Sequence, residues 1–189
     1  MAKLKLNGLF LDQMSGRHGD AVVRSLRGRT FTSRPPTRPN TAPSEAQRFV
    51  QDRFKLANGY ASSVLRDATK RGVYEQVAKR RGTSVFAQAM GDFLRSPEIT
   101  LLDLDGYHGR IGDPIRVLAT DDTGVTSVTI VIRSATNAVL EEGPATLLDQ
   151  VWTYTGKTAM PVEQTVTIEA TAKDRPGNAA GKQQPYNQL

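Results

Sequence analysis

A proline-rich, basic segment at residues 34–43 most constrains what this chain can fold into. It contains four prolines and no apolar residue larger than alanine, so it lacks the side chains needed to build a hydrophobic core. Proline fixes φ and has no backbone N–H to donate, which favours an extended, polyproline-like path. At roughly 3.1 Å per residue the segment spans about 31 Å. We therefore expect it to act as an arm that reaches a neighbouring molecule.

The residues before this arm show the alternation that is typical of strands. Leu4 and Leu6 alternate with lysines, and residues 21–25 and Arg29–Ser33 read as two short strands joined by a turn at residues 26–28. Residues 1–43 are therefore predicted to form a β-hairpin that continues into the arm.

The pattern changes to helical spacing after the arm. Ser44 and Gln47 match the capping-box sequence, and apolar residues then recur at intervals of three and four. A second helix is predicted near residues 70–80, and a third stops before a proline. The expected capping residues are Ser44, Gly82 and either Thr83 or Ser84. Residues 44–96 are predicted to be a three-helix segment that is too small to be very stable alone.

From Ile99 onward, seven short segments rich in Val, Ile and Thr alternate with turns rich in Gly, Asp and Pro. This pattern of short strands and turns predicts a β-sandwich, and we expect Trp152 to lie in its core. The predicted fold class is a multidomain α+β protein. Its parts are a β-hairpin and proline-rich basic arm (1–43), a small helical bundle (44–96) and a C-terminal sandwich (99–189).

Residues 112–132, 137–143 and 167–178 resemble bacterial immunoglobulin-like domains, in which a strand often ends in A-x-D and is followed by a turn and Gly-Asn. The resemblance implies an Ig-like β-sandwich with an adhesive, spacer or assembly role, and it implies no chemistry. The N-terminal half resembles short uncharacterised bacterial and phage-associated proteins, and no function follows from that likeness. The residues that carry it are Ser15, Gly16, Arg17, Gly19, Val22, Gly28, Arg34, Pro36 and Gln47.

The charge of the chain is divided between its two halves. The net charge is +6, but residues 1–98 hold 18 Lys and Arg against 8 Asp and Glu, whereas residues 99–189 hold 7 against 11. A body of charge +10 joined to one of −4 favours head-to-tail contact between copies. The basic half alone would also fit nucleic acid.

The same composition limits where and how the chain works. It has no cysteine, which excludes disulfides and thiolate zinc sites. Its apolar runs are too short to span a membrane, and its first residues make a poor signal peptide. We expect synthesis in the cytoplasm without a signal peptide, with a phage-like or extracellular assembly as a possible destination.

The sequence offers little support for catalysis or cofactor binding. His108 lies in the loop-like DGYHGRIGD segment, and no nucleophile elbow accompanies either histidine. Asp103, Asp105, Asp174 and the pair Asp121–Asp122 could supply oxygen ligands to calcium, but the EF-hand pattern is missing and Asp is also an ordinary turn residue. We expect no enzyme activity, no cofactor and no metal site.

We therefore expect a structural protein that assembles into a homo-oligomer or polymer, such as a filament, a tube or a phage-like particle. The candidate subunit-contact residues are Arg24, Arg27, Arg29, Phe31, Arg34, Pro35, Pro36 and Arg38. The candidate acidic counter-surface consists of Asp121, Asp122, Glu141 and Glu142. The alternatives are a nucleic-acid-binding protein that uses the basic half, and an adhesive or glycan-binding Ig-like module.

Overall fold

The computed structural model describes residues 15–26, 29–37, 41–160 and 165–187. These residues form three helices and several antiparallel sheets, which confirms the prediction of a mixed α and β chain. The chain divides into two compact units, Met1–Glu45 and Ala46–Leu189. No helix in the described ranges combines the length and apolar character that crossing a membrane requires.

The first unit contains a three-stranded antiparallel sheet in the order β1-β2-β3. Its strands are β1 (Gly16–His18), β2 (Ala21–Leu26) and β3 (Arg29–Ser33). The β2–β3 hairpin agrees with the predicted strand pair, and β1 adds a strand where the sequence indicated only a glycine-rich turn. The strand expected at Leu4 and Leu6 lies outside the described residues.

The three helices are α1 (Glu45–Arg66), α2 (Ala68–Arg81) and α3 (Val85–Leu94). Gly82 takes the left-handed conformation at the end of α2 with φ of 63°, and the Ser84 side chain accepts the Ala87 N–H at the start of α3, as the sequence predicted. The cap of α2 was not predicted: the Asp67 carboxylate accepts two backbone amides there.

Eight strands follow the helices, and each of the seven predicted segments contains one of them. They are β4 (Glu98–Asp103), β5 (Pro114–Thr120), β6 (Ser127–Ser134), β7 (Val139–Pro144), β8 (Thr146–Leu148), β9 (Val151–Thr155), β10 (Thr165–Lys173) and β11 (Ala179–Asn187). The additional strand, β8, has three residues and too few alternations to be recognised. The strands form two antiparallel sheets with the orders β4-β5-β9-β8 and β11-β10-β6-β7.

The two four-stranded sheets share one hydrophobic core. Ile115, Val117 and Tyr154 contribute to it from one sheet, and Ile130 and Ile168 contribute from the other. The buried residues alternate with more exposed ones along β5, β6 and β10, as expected for strands with one covered face. Trp152 belongs to this core, which confirms its predicted place.

The helices share a smaller core of their own. Its buried members are Ala61 and Val64 from α1, Tyr74 from α2 and Ala89 from α3. The Tyr60 ring packs at its margin. Two of the four buried side chains are alanine, so this cluster removes much less apolar surface from water than the core between the sheets.

Candidate subunit-contact site

Three of the predicted contact residues lie on one face of the three-stranded sheet in the first unit. Arg24 is paired directly with Phe31 across β2 and β3, so their side chains share a face. Arg29 lies two residues before Phe31 and therefore points to the same side. All three are exposed, whereas Val23, on the opposite face, is buried. The sheet thus presents two arginines around one exposed aromatic ring.

The described part of the arm continues from this sheet without helix or strand. Arg34 and Pro36 are exposed, and Pro35 is half-buried. Arg27 and Arg38, the other two predicted contact residues, lie outside the described residues. The structure therefore brings three predicted residues together on the sheet and places three more along the chain that follows.

The predicted acidic pair Asp121–Asp122 already has partners within its own unit. The Asp122 carboxylate lies 3.0 Å from an Arg81 guanidinium nitrogen and 2.7 Å from one of Arg95. These two arginines, Arg81 first, hold the pKa of Asp122 below its usual range. The Asp121 carboxylate accepts the backbone N–H of Thr123, as in an Asx turn. Asp122 consequently ties two helix ends to the loop after β5.

Glu141 does not belong to the acidic surface that the sequence predicted. It is buried, and its carboxylate accepts the Tyr154 hydroxyl and the backbone N–H groups of Lys157 and Thr158. Glu141 pairs with the buried Ile132 across β6 and β7, so the alternation of the strand turns it inward. Its neighbour Glu142 is exposed on the other face. The correction leaves Glu142, Asp121 and Asp122 as acidic candidates.

A buried carboxylate that the sequence reasoning missed joins the helices to the sheets. Asp92, on α3, is fully buried. Its carboxylate accepts the Tyr74 hydroxyl at 2.5 Å and the Thr123 hydroxyl at 2.8 Å. The hydroxyls of Tyr74 and Tyr60 lie 2.8 Å apart and continue the network into α1. One carboxylate therefore links all three helices to the loop between β5 and β6.

Asn178 makes a second polar connection beside this network. Its side-chain amide nitrogen lies 2.8 Å from the Arg95 carbonyl oxygen and 3.2 Å from the carbonyl oxygens of both Asp92 and Phe93. The same nitrogen lies 2.7 Å from the Asp174 carboxylate. Because the last carbonyls of a helix lack helical partners, this amide satisfies the end of α3. Asn178, Asp92 and the hydroxyls of Tyr74 and Thr123 form what we call the polar joint.

The surroundings of the polar joint change the acidity of its members. Burial raises the pKa of Asp92 to about 6, against hydrogen bonds from Tyr74 and Thr123 that lower it, and the negative charges of Asp121 and Asp174 add to the increase. Burial also raises the pKa of Tyr74 well above its usual range. Tyr74 therefore stays protonated and donates to Asp92, whose charge changes near pH 6.

An open cleft of about 180 Å³ adjoins the polar joint. It combines two tyrosines with two cationic side chains. The lining residues are Tyr60, Lys70, Val73, Tyr74, Thr126 and Arg175. Among the described residues, no three His, Cys, Asp or Glu side chains gather in an arrangement that holds a metal ion. The hydrogen bonds of the joint connect the helices to the loops that flank β6 and β10.

No protein-family profile, no curated protein and no solved structure matches this chain.

Proposed function

We propose that this chain is a structural, self-assembling subunit. The basic face defined by Arg24, Arg29 and Phe31, extended by the arm, contacts the acidic surface of another copy. That surface includes Glu142. Asp121 and Asp122 contribute less to it, because both are half-buried and Asp122 is already paired with Arg81 and Arg95. Opposite charges on separate surfaces favour a heterologous contact, which closes as a ring or propagates as a filament, tube or phage-like particle.

The exposed basic face of the small sheet is the observation that carries this proposal. Among the described residues of the first unit, Val23 is the one hydrophobic residue that is buried. Phe31 is 53% exposed and lies beside two arginines. A sheet with so little covered apolar surface gains stability when a partner covers it. An exposed aromatic ring flanked by arginines is also the composition that interface centres favour.

We propose further that residues 99–189 form an Ig-like sandwich that is displayed or packed outward from the assembly. Strands β4 to β11 can be named A, B, C, C′, D, E, F and G in chain order. The two sheets then have the orders A-B-E-D and G-F-C-C′, and immunoglobulin-like sandwiches also place A, B, E and D in one sheet and C, F and G in the other. The division into segments 1–43, 44–96 and 99–189 belongs to the same proposal.

Charge reversal on the small sheet tests the proposed contact. We expect Arg24→Glu combined with Arg29→Glu to weaken self-association at least about tenfold, because the reversed charges repel the acidic surface. Arg80→Glu combined with Arg110→Glu is the matched control, since it changes the net charge equally at exposed positions outside this sheet. Sedimentation velocity at several concentrations measures both. Equal association of the two variants would contradict the proposed contact.

Nucleic-acid binding is the second candidate, and the same exposed arginines favour it. Phosphate contacts release counterions, so binding would weaken steeply with salt. Fluorescence anisotropy with a labelled duplex and a labelled single strand separates the candidates: subunit assembly needs no nucleic acid. A glycan-binding role has less support, because Trp152 and Tyr154 are buried in the core.

A further inference from the structure

The first three turns of α1 expose an apolar face that continues a buried one. Every residue from Glu45 to Leu56 is exposed, and Phe49, Val50 and Phe54 keep between 55% and 65% of their surface accessible. Val50 and Phe54 are four residues apart and share one side of the helix, and Phe49 lies at the edge of that side. We call them the helix face.

The same side of α1 is covered farther along the helix. Ala57 lies seven residues after Val50, and Ala61 lies seven after Phe54, so each pair projects in nearly the same direction. Ala57, Ala61 and Val64 are fully buried. The apolar stripe of α1 is therefore continuous, but within the described residues only its second half is buried.

A second uncovered apolar surface crosses the sheet β4-β5-β9-β8. Leu101 is paired with Leu118, and Leu148 is paired with Val151. Because Val117 is paired with Trp152, Leu118 lies opposite Val151 and the four residues form one row across all four strands. The three leucines are 37% to 60% exposed, and Val151 is half-buried. We call this the leucine row.

We propose that the helix face of one copy packs on the leucine row of a second copy. The inference rests on the proposed self-assembly and gives it a second, apolar contact. The helix face from Phe49 to Phe54 is about 8 Å long at 1.5 Å per residue, with side chains that reach beyond it. The leucine row spans about 14 Å at the usual distance between strands. The two surfaces are therefore comparable in size.

The area of the two surfaces fits a weak, repeated contact. Partly exposed side chains of this kind leave roughly 300 Å² of apolar surface on each face. Because about 57% of a typical interface is apolar, covering both corresponds to about 1,000 Å² in total. That value lies at the low end of specific interfaces. A single pair would dissociate readily, and the contact becomes effective in an assembly with additional contacts.

Charge favours packing of the helix face on the leucine row over packing of two helix faces, or of two leucine rows, on each other. Arg53 borders the helix face, where its guanidinium carbon lies 6.0 Å from the centroid of the Phe49 ring, and α1 carries four Arg and Lys against two Asp and Glu. Asp149 borders the leucine row, in a segment, residues 99–189, with 7 Lys and Arg against 11 Asp and Glu. Pairing two helix faces would bring Arg53 of each copy near the other, and pairing two sheets would bring acidic segments together.

Engineered cysteines detect this contact directly, because the chain contains no cysteine of its own. Chains with Val50→Cys are mixed with chains with Leu118→Cys, oxidised mildly and separated by size. Only cysteines that approach closely form a disulfide. We expect the mixed dimer to exceed, by at least about tenfold, that from a control mixture of Arg48→Cys and Leu118→Cys chains. Arg48 is exposed on α1 two residues before Val50, and it is turned about 160° from it.

Three results would overturn the inference: homodimers of the Val50→Cys chain, homodimers of the Leu118→Cys chain, or no excess of mixed dimer over the control. Circular dichroism of each variant verifies the fold, and Val50→Ser with Leu118→Ser measures association without cross-linking. Sedimentation of the unmodified chain separates the two proposals. Assembly without the mixed cross-link contradicts this contact alone, whereas the mixed cross-link from a chain that never assembles contradicts the proposed function alone.

Discussion

The two hydrophobic cores within residues 46–189 contain different kinds of side chains. The core between the sheets contains large aliphatic side chains such as Ile130, Ile132 and Ile168, each fully buried. The helix core contains Ala61 and Ala89 among its four buried apolar residues. The fully buried Asp92 lies next to Tyr74 of that core. One region is held mainly by apolar burial, and the other also depends on a hydrogen-bonded carboxylate.

This difference shows how a small helical segment can be ordered in a larger unit. Short helices gain most of their stability from packing, and this segment has few large apolar side chains to pack. Hydrogen bonds from the Thr123 hydroxyl to Asp92 and from the Asn178 side-chain amide to the end of α3 attach it to loops of the sheets. We therefore expect substitutions in the sheet core to affect the whole unit and substitutions in the polar joint to affect the helices first.

The largest effect is expected from Ile130→Ala. It removes a fully buried side chain from the core between the sheets, and such truncations cost about 2–5 kcal/mol. Val131→Ala is the control, because Val131 lies next in the same strand, faces the other side and is half-buried. Urea unfolding followed by circular dichroism measures both. An equal loss of stability in the two variants would show that this core is not packed as described.

A smaller effect, specific to the helices, is expected from Asp92→Ala. It leaves the Tyr74 and Thr123 hydroxyls without their acceptor, which costs about 3 kcal/mol. Asp92→Asn keeps an acceptor oxygen in place and should cost much less. Hydrogen exchange of α2 and α3 amides, compared with β6 and β10 amides, measures where stability is lost. Equal loss in both regions, or equal effects of Ala and Asn, would argue against the polar joint.

Comparing the unmodified chain with Asp92→Asn also predicts how stability changes with pH. The pKa of Asp92 is about 6 in the folded chain and 3.8 at its ordinary value. Folding favours the protonated form of Asp92, so the stabilisation that it gives is fully present below about pH 4. About 3 kcal/mol of this stabilisation is lost as the pH rises through 6. The stability of the unmodified chain should therefore fall relative to Asp92→Asn between pH 4 and 7. A constant difference across that range would contradict the assignment.

The smallest effect is expected from Ser84→Ala at the start of α3. The serine side chain accepts the Ala87 N–H, and removing such a cap costs about 1 kcal/mol. Ser84→Asp, which also caps well and adds a negative charge at the helix N-terminus, should retain that stability. Thermal unfolding of the three proteins checks the order. A Ser84→Ala chain as stable as the unmodified one would show that the cap contributes nothing.

Much of the local structure could be predicted because its causes are local. Gly82 ends α2 since glycine accepts a positive φ, and Ser84 caps α3 since its side chain reaches an amide three residues on. The strands of residues 99–189 follow from period-two alternation. The short strand β8 could not be found this way, because its pairing partner rather than its own pattern defines it.

The polar joint could not be predicted, because its partners are distant in sequence. Asp92 lies three residues after the buried Ala89 on α3, but a carboxylate normally favours solvent. It is buried because Tyr74 and Thr123, 18 and 31 residues away, supply hydroxyls in the folded chain. Glu141 shows the same limit: its burial depends on Tyr154 of the other sheet. The helical spacing of α1 likewise indicated a helix but not which half would be covered.

Sedimentation velocity of the intact chain, with negative-stain imaging of the same samples at low and high salt, tests the central claim of self-assembly most directly. We predict large, regular species at low salt that become smaller at high salt, because screening weakens the contact between the basic face and the acidic surface. A monodisperse monomer at high protein concentration under both conditions would contradict the claim.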